Sequence, residues 1–207
     1  RWSDGAAPDV RRSRLWLALL LSLRGSAGIY QGEELGLPEA EVPFELLQDP
    51  YGRAFWPEFK GRDGCRTPMP WRGDDAQGGF TTGTPWLPMS PAQLPLAVDR
   101  QEGDARSMLA FSRAMLRWRR AQPLLHTAAI AFFDAPEPVL WFERREGANS
   151  LQAVFNLGAA PVSIMLRETL RAVADAPLAS TATLGGADGR ALTLAPFGAF
   201  FGEPITD

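Results

Sequence analysis

Apolar residues are spaced differently in successive parts of the chain. Across residues 9–23, Leu15, Trp16, Leu17, Leu19, Leu20, Leu21 and Leu23 leave little polar face, which predicts a helix covered on most sides. Asp9, just after Pro8, is suited to cap its start, and Gly25 to stop it. The short apolar run at 27–30 predicts a buried strand that ends in Gln31, Gly32, Glu33 and Glu34. A helix, a short turn, a buried strand and a polar cluster make the αβ pattern of a parallel sheet. In barrels of that kind the chemistry sits at the C-terminal ends of strands. A second helix is predicted over 104–120, with Asp104 as its candidate N-cap. Met108, Leu109, Phe111, Met115, Leu116 and Trp118 form its apolar face, and Arg117, Arg119 and Arg120 suit its negative end. That stripe reads as core packing rather than a cofactor face.

Past residue 126 the pattern changes to short alternating or apolar runs at 128–133, 139–145, 151–157, 162–166, 191–194 and 197–201. Turn signals separate them, among them Glu146-Gly147, Gly185-Gly186 and Asp188-Gly189. This predicts a small antiparallel β-sandwich. Residues 36–103 are loop-rich, with a short helix expected over 41–47. A connection that long is functional or disordered, and its Trp, Phe, Pro and paired charges favour order.

Composition narrows the function classes. The 207 residues are 45% hydrophobic and 22% charged, ordinary for a globular chain of one large or two small domains. A net charge of -3 gives no electrostatic case for nucleic acid or an anionic membrane. Cys65 is the only cysteine, so no internal disulfide is possible, which fits a reducing, cytoplasmic setting. His126, the only histidine, follows a Pro in a short linker and reads as structural; no zinc spacing exists, and no metal or cofactor is expected. The apolar stretch at 12–23 holds about half of the roughly 20 apolar residues a membrane span needs. Asp4 and Asp9 before its basic residues argue against a signal peptide, and a first residue of Arg rather than Met suggests that the protein starts upstream.

The most chemical stretch is GRDGCRTPMPW at 61–71, with three charged residues, two prolines and one tryptophan in eleven positions. Pro68 and Pro70 fix φ and remove two backbone donors, so the loop is constrained. Two guanidinium forks beside a carboxylate suit a polyhydroxylated ligand such as a sugar. The competing reading makes Arg62, Arg66 and Asp63 a structural ion-pair cluster. Cys65 beside two arginines reads as a packing residue rather than a reactive thiol. Trp56, Trp71 and Trp86 read as loop anchors more readily than as stacking platforms. Glu33 and Glu34, adjacent on an extended chain, point to opposite faces and make a poor acid/base couple.

Three ordered blocks, RGSAGIYQGEELGL at 24–37, GRDGCRTPMPW, and GFTTGTPWLP at 79–88, resemble the C-terminal third of the α-amylase superfamily. The resemblance is closest to the α-glucosidase and oligo-1,6-glucosidase branch of glycoside hydrolase family 13. It implies the C-terminal portion of a (β/α)8 TIM barrel over residues 1–125 and a small antiparallel β-sandwich, domain C, over 126–207. The helix at 9–23 would be the seventh of the barrel, the run at 27–30 its eighth strand, and 104–120 its eighth helix. It also implies an oligosaccharide substrate, with Arg62 holding hydroxyls of the terminal glucose and Arg66 and Glu39 as further substrate-binding candidates. Family members cleave with retention, using two carboxyl groups on either side of the bond. The resemblance places these upstream of Arg1, so no catalytic residue is expected here, and the chain alone is expected to be inactive. A same-superfamily transglycosylase or isomerase, of sucrose isomerase or trehalose synthase type, and a non-catalytic interaction protein are the alternatives.

Overall fold

The computed structural model describes residues 9–205. Within them two compact units separate: residues 9–10 with 29–112, and residues 11–28 with 113–205.

In the second of these, α1 (Val10–Ser22) contributes all but its first residue. Leu15, Leu17, Ala18, Leu19 and Leu21 are buried, as the nearly continuous apolar pattern predicts. The run at 27–30 does not form the expected strand. A strand needs a neighbour to take its N–H and C=O groups, and every strand pair among the described residues is antiparallel and lies beyond residue 128.

The loop-rich unit holds α2 (Pro50–Ala54), α3 (Val98–Gln101) and the start of α4 (Met108–Ala121). The helix expected over 41–47 shrinks to a single 3-10 turn, Phe44–Leu46, after Pro43. The start of α4 also falls later than expected. Asp104 Oδ1 accepts from the Arg106 N–H in a turn, while Ser107 Oγ accepts the Ala110 N–H at 3.0 Å and is the true N-cap.

Buried amides hold this unit together. Gln101, 7% exposed, donates to the Leu35 and Leu96 carbonyls and accepts from the Leu109 N–H. Gln93, fully buried, donates to the Pro38 carbonyl and accepts from the Thr67 hydroxyl. The apolar clusters are small: Leu35, Leu37 and Leu109 in one, Val42, Leu47 and Leu87 in another.

After α5 (Leu124–Thr127) the second unit is built from β1 (Ala129–Phe133), β2 (Val139–Glu146), β3 (Asn149–Asn156), β4 (Val162–Met165), β5 (Leu170–Ala172), β6 (Ala182–Gly185), β7 (Ala191–Leu194) and β8 (Ala199–Pro204). They form a five-stranded sheet, β1-β2-β3-β8-β5, and a three-stranded sheet, β4-β7-β6, both antiparallel. Glu146 pairs with Asn149 across a two-residue turn. Gly147 takes φ +59° at its first position, where glycine is favoured. Trp141, Val154, Leu170 and Phe200 of the larger sheet share one core with Ile164, Leu192 and Leu194 of the smaller. On the other face of the larger sheet Phe142, Phe155, Phe201 and Trp118 of α4 form a chain of ring contacts 4.6 to 5.8 Å apart. β3 is therefore buried on both faces.

Two arginines finish α1. Arg119 donates to the carbonyls of Leu21, Leu23 and Gly25 rather than to its own helix end. Arg144, 0% exposed, donates to Ser22 and Leu125 through one terminal nitrogen and to Ala128 through the other and Nε. Helix C-terminal carbonyls carry partial negative charge, which compensates a guanidinium that has no carboxylate among its hydrogen-bond partners. Burial lowers the Arg144 pKa, and the nearby Arg119 and Arg24 charges lower it further. His126 Nε2 lies 3.0 Å from the Arg119 carbonyl, a structural contact. Among the described residues no helix is long and apolar enough to cross a membrane, and no group of three His, Cys, Asp or Glu could hold a metal.

Candidate functional site

The loop at 61–71 is fixed by its surroundings before any ligand is considered. Asp63 to Cys65 form a 3-10 turn. The Gly64 carbonyl accepts from the Ala40 N–H, and Thr67 is tied through its hydroxyl to Gln93 and through its carbonyl to the Gln31 amide. Farther along, Val98 and Asp99 donate to the Pro70 and Trp71 carbonyls. The segment at 31–40 and the loop are thereby laced together, as the prolines predict for a constrained element.

Two buried carboxylates sit beneath the arginines. Asp63 is 0% exposed; its Oδ2 accepts the N–H groups of Gln48 and Asp49 at 2.6 and 2.7 Å. Its Oδ1 is buried with no hydrogen-bond partner, the nearest cation being Arg66 at 4.0 Å. Asp49 is 2% exposed. Its Oδ1 caps α2 by accepting the Tyr51 N–H, and its Oδ2 accepts both the backbone N–H and the Nε–H of Arg62, at 3.0 and 3.1 Å. Arg66 lies 3.8 Å from the same oxygen. Burial raises the Asp49 pKa, but the hydrogen bonds from Arg62 and Tyr51 and the Arg62 charge outweigh it and hold the carboxyl below its ordinary value.

Arg62 and Arg66 are brought together at Asp49, and Glu39 lies against the same loop. The Arg62 side chain is 63% exposed and Arg66 31%. Glu39 is exposed and its side chain lies against Gly64, where a Cβ would come within 2.6 Å of Glu39 Cγ. An ion-pair cluster is also present, but it centres on Asp49 rather than Asp63, which only approaches Arg66 at 4.0 Å. It spends only the Nε edge of Arg62, so the two terminal nitrogens have no partner among the described residues. A planar guanidinium with those donors available can grip two adjacent hydroxyls at any physiological pH.

Asp49 escaped the sequence reading, although a signal for it exists: Asp followed by Pro50 is an N-cap with proline at the first helical position. Other residues depart from expectation. Trp71 and Trp86 are 51% and 66% exposed, whereas Trp56, 36% exposed, packs its ring against Phe44 and under Lys60. Glu33 and Glu34 are not extended but begin a 3-10 turn, where Glu33 accepts from the Tyr30 N–H. A separate pocket of about 280 Å³ has Leu46, Gln77, Thr84, Pro85, Trp86 and Met89 among its walls; Arg62, Arg66 and Glu39 do not line it.

The loop is irregular and internally braced, and it presents the guanidinium groups of Arg62 and Arg66 beside the carboxylates of Asp49 and Asp63. Residues 1–128 match the family described as alpha amylase, catalytic domain, and the chain belongs to that family. It is 48% identical over 157 residues to a probable alpha-glucosidase of Rhizobium meliloti (strain 1021), covering 76% of this chain and 28% of that protein. It is 26% identical over 182 residues to an oligo-1,6-glucosidase of Heyndrickxia coagulans, covering 79% of this chain and 33% of the other. The crystal structure of the alpha-glucosyl transfer enzyme XgtA superposes with a TM-score of 0.87 at 45% identity, covering 99% of this chain and 37% of that one. The chain thus spans about a third of the length of these relatives.

Proposed function

We propose that this chain supplies the glucose-holding loop and domain C of a retaining α-glucosidase that hydrolyses terminal α-linked glucose from oligosaccharides. Residues 1–125 form the C-terminal portion of its (β/α)8 barrel and residues 126–207 its β-sandwich. Arg62 grips hydroxyls of the terminal sugar, with Arg66 and Glu39 at the edge of the same site. The observation that carries this reading is the exposed Arg62 guanidinium, held by Nε and open at its terminal nitrogens. The two carboxyl groups of a double displacement stand about 5 Å apart across the bond, and in this reading they lie outside the chain. In support, Asp49 is engaged by Arg62 and Tyr51 and Glu143 by Arg145 and Ser150, while Asp63 spends one oxygen on backbone N–H groups and leaves the other without a hydrogen-bond partner. The lone cysteine supports a cytoplasmic setting.

In the intact enzyme, Arg62→Ala removes charge-assisted hydrogen bonds and lowers kcat/KM on an aryl α-glucoside by about a hundredfold or more. An unchanged kcat/KM overturns the assignment, and hydrolysis by the purified 207-residue chain overturns the placement of the carboxylates elsewhere. The likeness to an alpha-glucosyl transfer enzyme at 45% identity favours one second reading, transfer of the glucosyl unit to another sugar instead of water. Product analysis of the intact enzyme on maltose, isomaltose and sucrose separates the two.

A further inference from the structure

The geometry points to Asp49, outside the loop motif, as the positioning residue that aims Arg62 at the sugar. This rests on the reading of Arg62 given above. An arginine side chain has four rotatable bonds and many rotamers, so an exposed guanidinium makes a poor clamp unless something fixes it. Asp49 Oδ2 accepts from the Arg62 backbone N–H at 3.0 Å and from its side-chain Nε–H at 3.1 Å. One oxygen thus closes the side chain into a ring.

Asp49 is itself immobilised. It is 2% exposed, its other oxygen is committed to the Tyr51 N–H, and its own N–H is held by Asp63 Oδ2 at 2.7 Å. The order of support runs from Asp63 through the Asp49 backbone and carboxylate to Arg62. The two aspartates also balance Arg62 and Arg66, so the guanidinium donors are presented without a net positive charge. Arg62 therefore acts as a fixed fork, and its grip depends on a residue thirteen positions earlier.

The test uses the intact enzyme that contains this chain, assayed on an aryl α-glucoside. Asp49→Ser keeps an N-cap hydroxyl but is too short to hold the guanidinium. It raises KM by about tenfold while kcat stays within about threefold, and Asp49→Asn, which keeps an acceptor at that position, restores most of the loss. Asp49→Ser combined with Arg62→Ala is no worse than Arg62→Ala alone, because the two residues act as a unit. An unchanged KM in Asp49→Ser, with KM raised in Arg62→Ala, overturns the positioning role and leaves the sugar assignment standing. Fully additive effects in the double variant overturn it as well. If Asp49→Ser does not fold, hydrogen exchange of the Arg62 Nε–H in the unmutated enzyme decides: exchange slowed about tenfold or more relative to free arginine supports the role, and exchange at the free rate overturns it. That readout stands whether or not Arg62 binds sugar.

Discussion

The loop-rich unit and the strand-rich unit solve the same problem with different chemistry. In the strand-rich unit the backbone pairs with itself in ladders, and the side chains are left to pack: Trp141, Val154, Leu192 and Phe200 on one face, Phe142, Phe155 and Phe201 on the other. In the loop-rich unit the backbone has few ladders, so side chains do the pairing. Gln31, Asp49, Asp63, Gln93, Asp99 and Gln101 each bond to main-chain groups. A buried irregular segment must satisfy its N–H and C=O groups somewhere. The difference teaches where each unit is fragile. Losing apolar volume threatens the first, and losing a polar partner threatens the second.

Substitutions sharpen that contrast, in decreasing order of effect. Phe155→Ala removes a fully buried ring that touches two others, and is expected to cost about 3–5 kcal/mol of stability in denaturant unfolding. Gln101→Leu keeps the volume but strands two carbonyls and one N–H, for a loss on the order of 3 kcal/mol. If Gln101→Leu is neutral, the polar account of the loop-rich unit is wrong. Ser107→Ala removes the N-cap of α4 and costs about 1 kcal/mol, whereas Asp104→Ala costs well under half of that; the reverse ranking would restore Asp104 as the cap.

The last prediction concerns pH. The folded Asp49 carboxyl titrates below its unfolded value of about 3.9. Its contribution is therefore complete above that pH and is lost as pH falls through the lower, folded pKa. Tm measured from pH 5 down to pH 2 should fall less steeply in Asp49→Asn than in the unmutated protein. Parallel curves would show that Asp49 is not held as an anion.

Periodic elements were legible in the sequence because burial on one side or all round leaves a pattern. The first helix, the start of β2 and the whole of β7 were read to within one residue. β5 and β6 went unread, since LRA and ATLG carry too few apolar positions to alternate. The run at 27–30 misled because apolar content cannot say whether a neighbouring strand is present. At the site, Arg62 and Arg66 were legible in the loop motif and Glu39 only through the family resemblance; the two arginines meet at Asp49, and Glu39 lies against Gly64 of the same loop. The buried carboxylate that links the arginines was not found. Asp49 lies thirteen positions from Arg62, and only folding brings the two together.

Arg144 has a consequence for the order in which the chain is made. One of its terminal nitrogens closes on the Ser22 carbonyl, 122 residues earlier. That helix end thus waits for a side chain from a strand made well after it. Until β2 is translated, the Ser22 carbonyl lacks this partner, although Arg119 can already reach the Leu21, Leu23 and Gly25 carbonyls. The helix can coil as soon as it is made, but its final turn is fully fastened only once β2 has followed it.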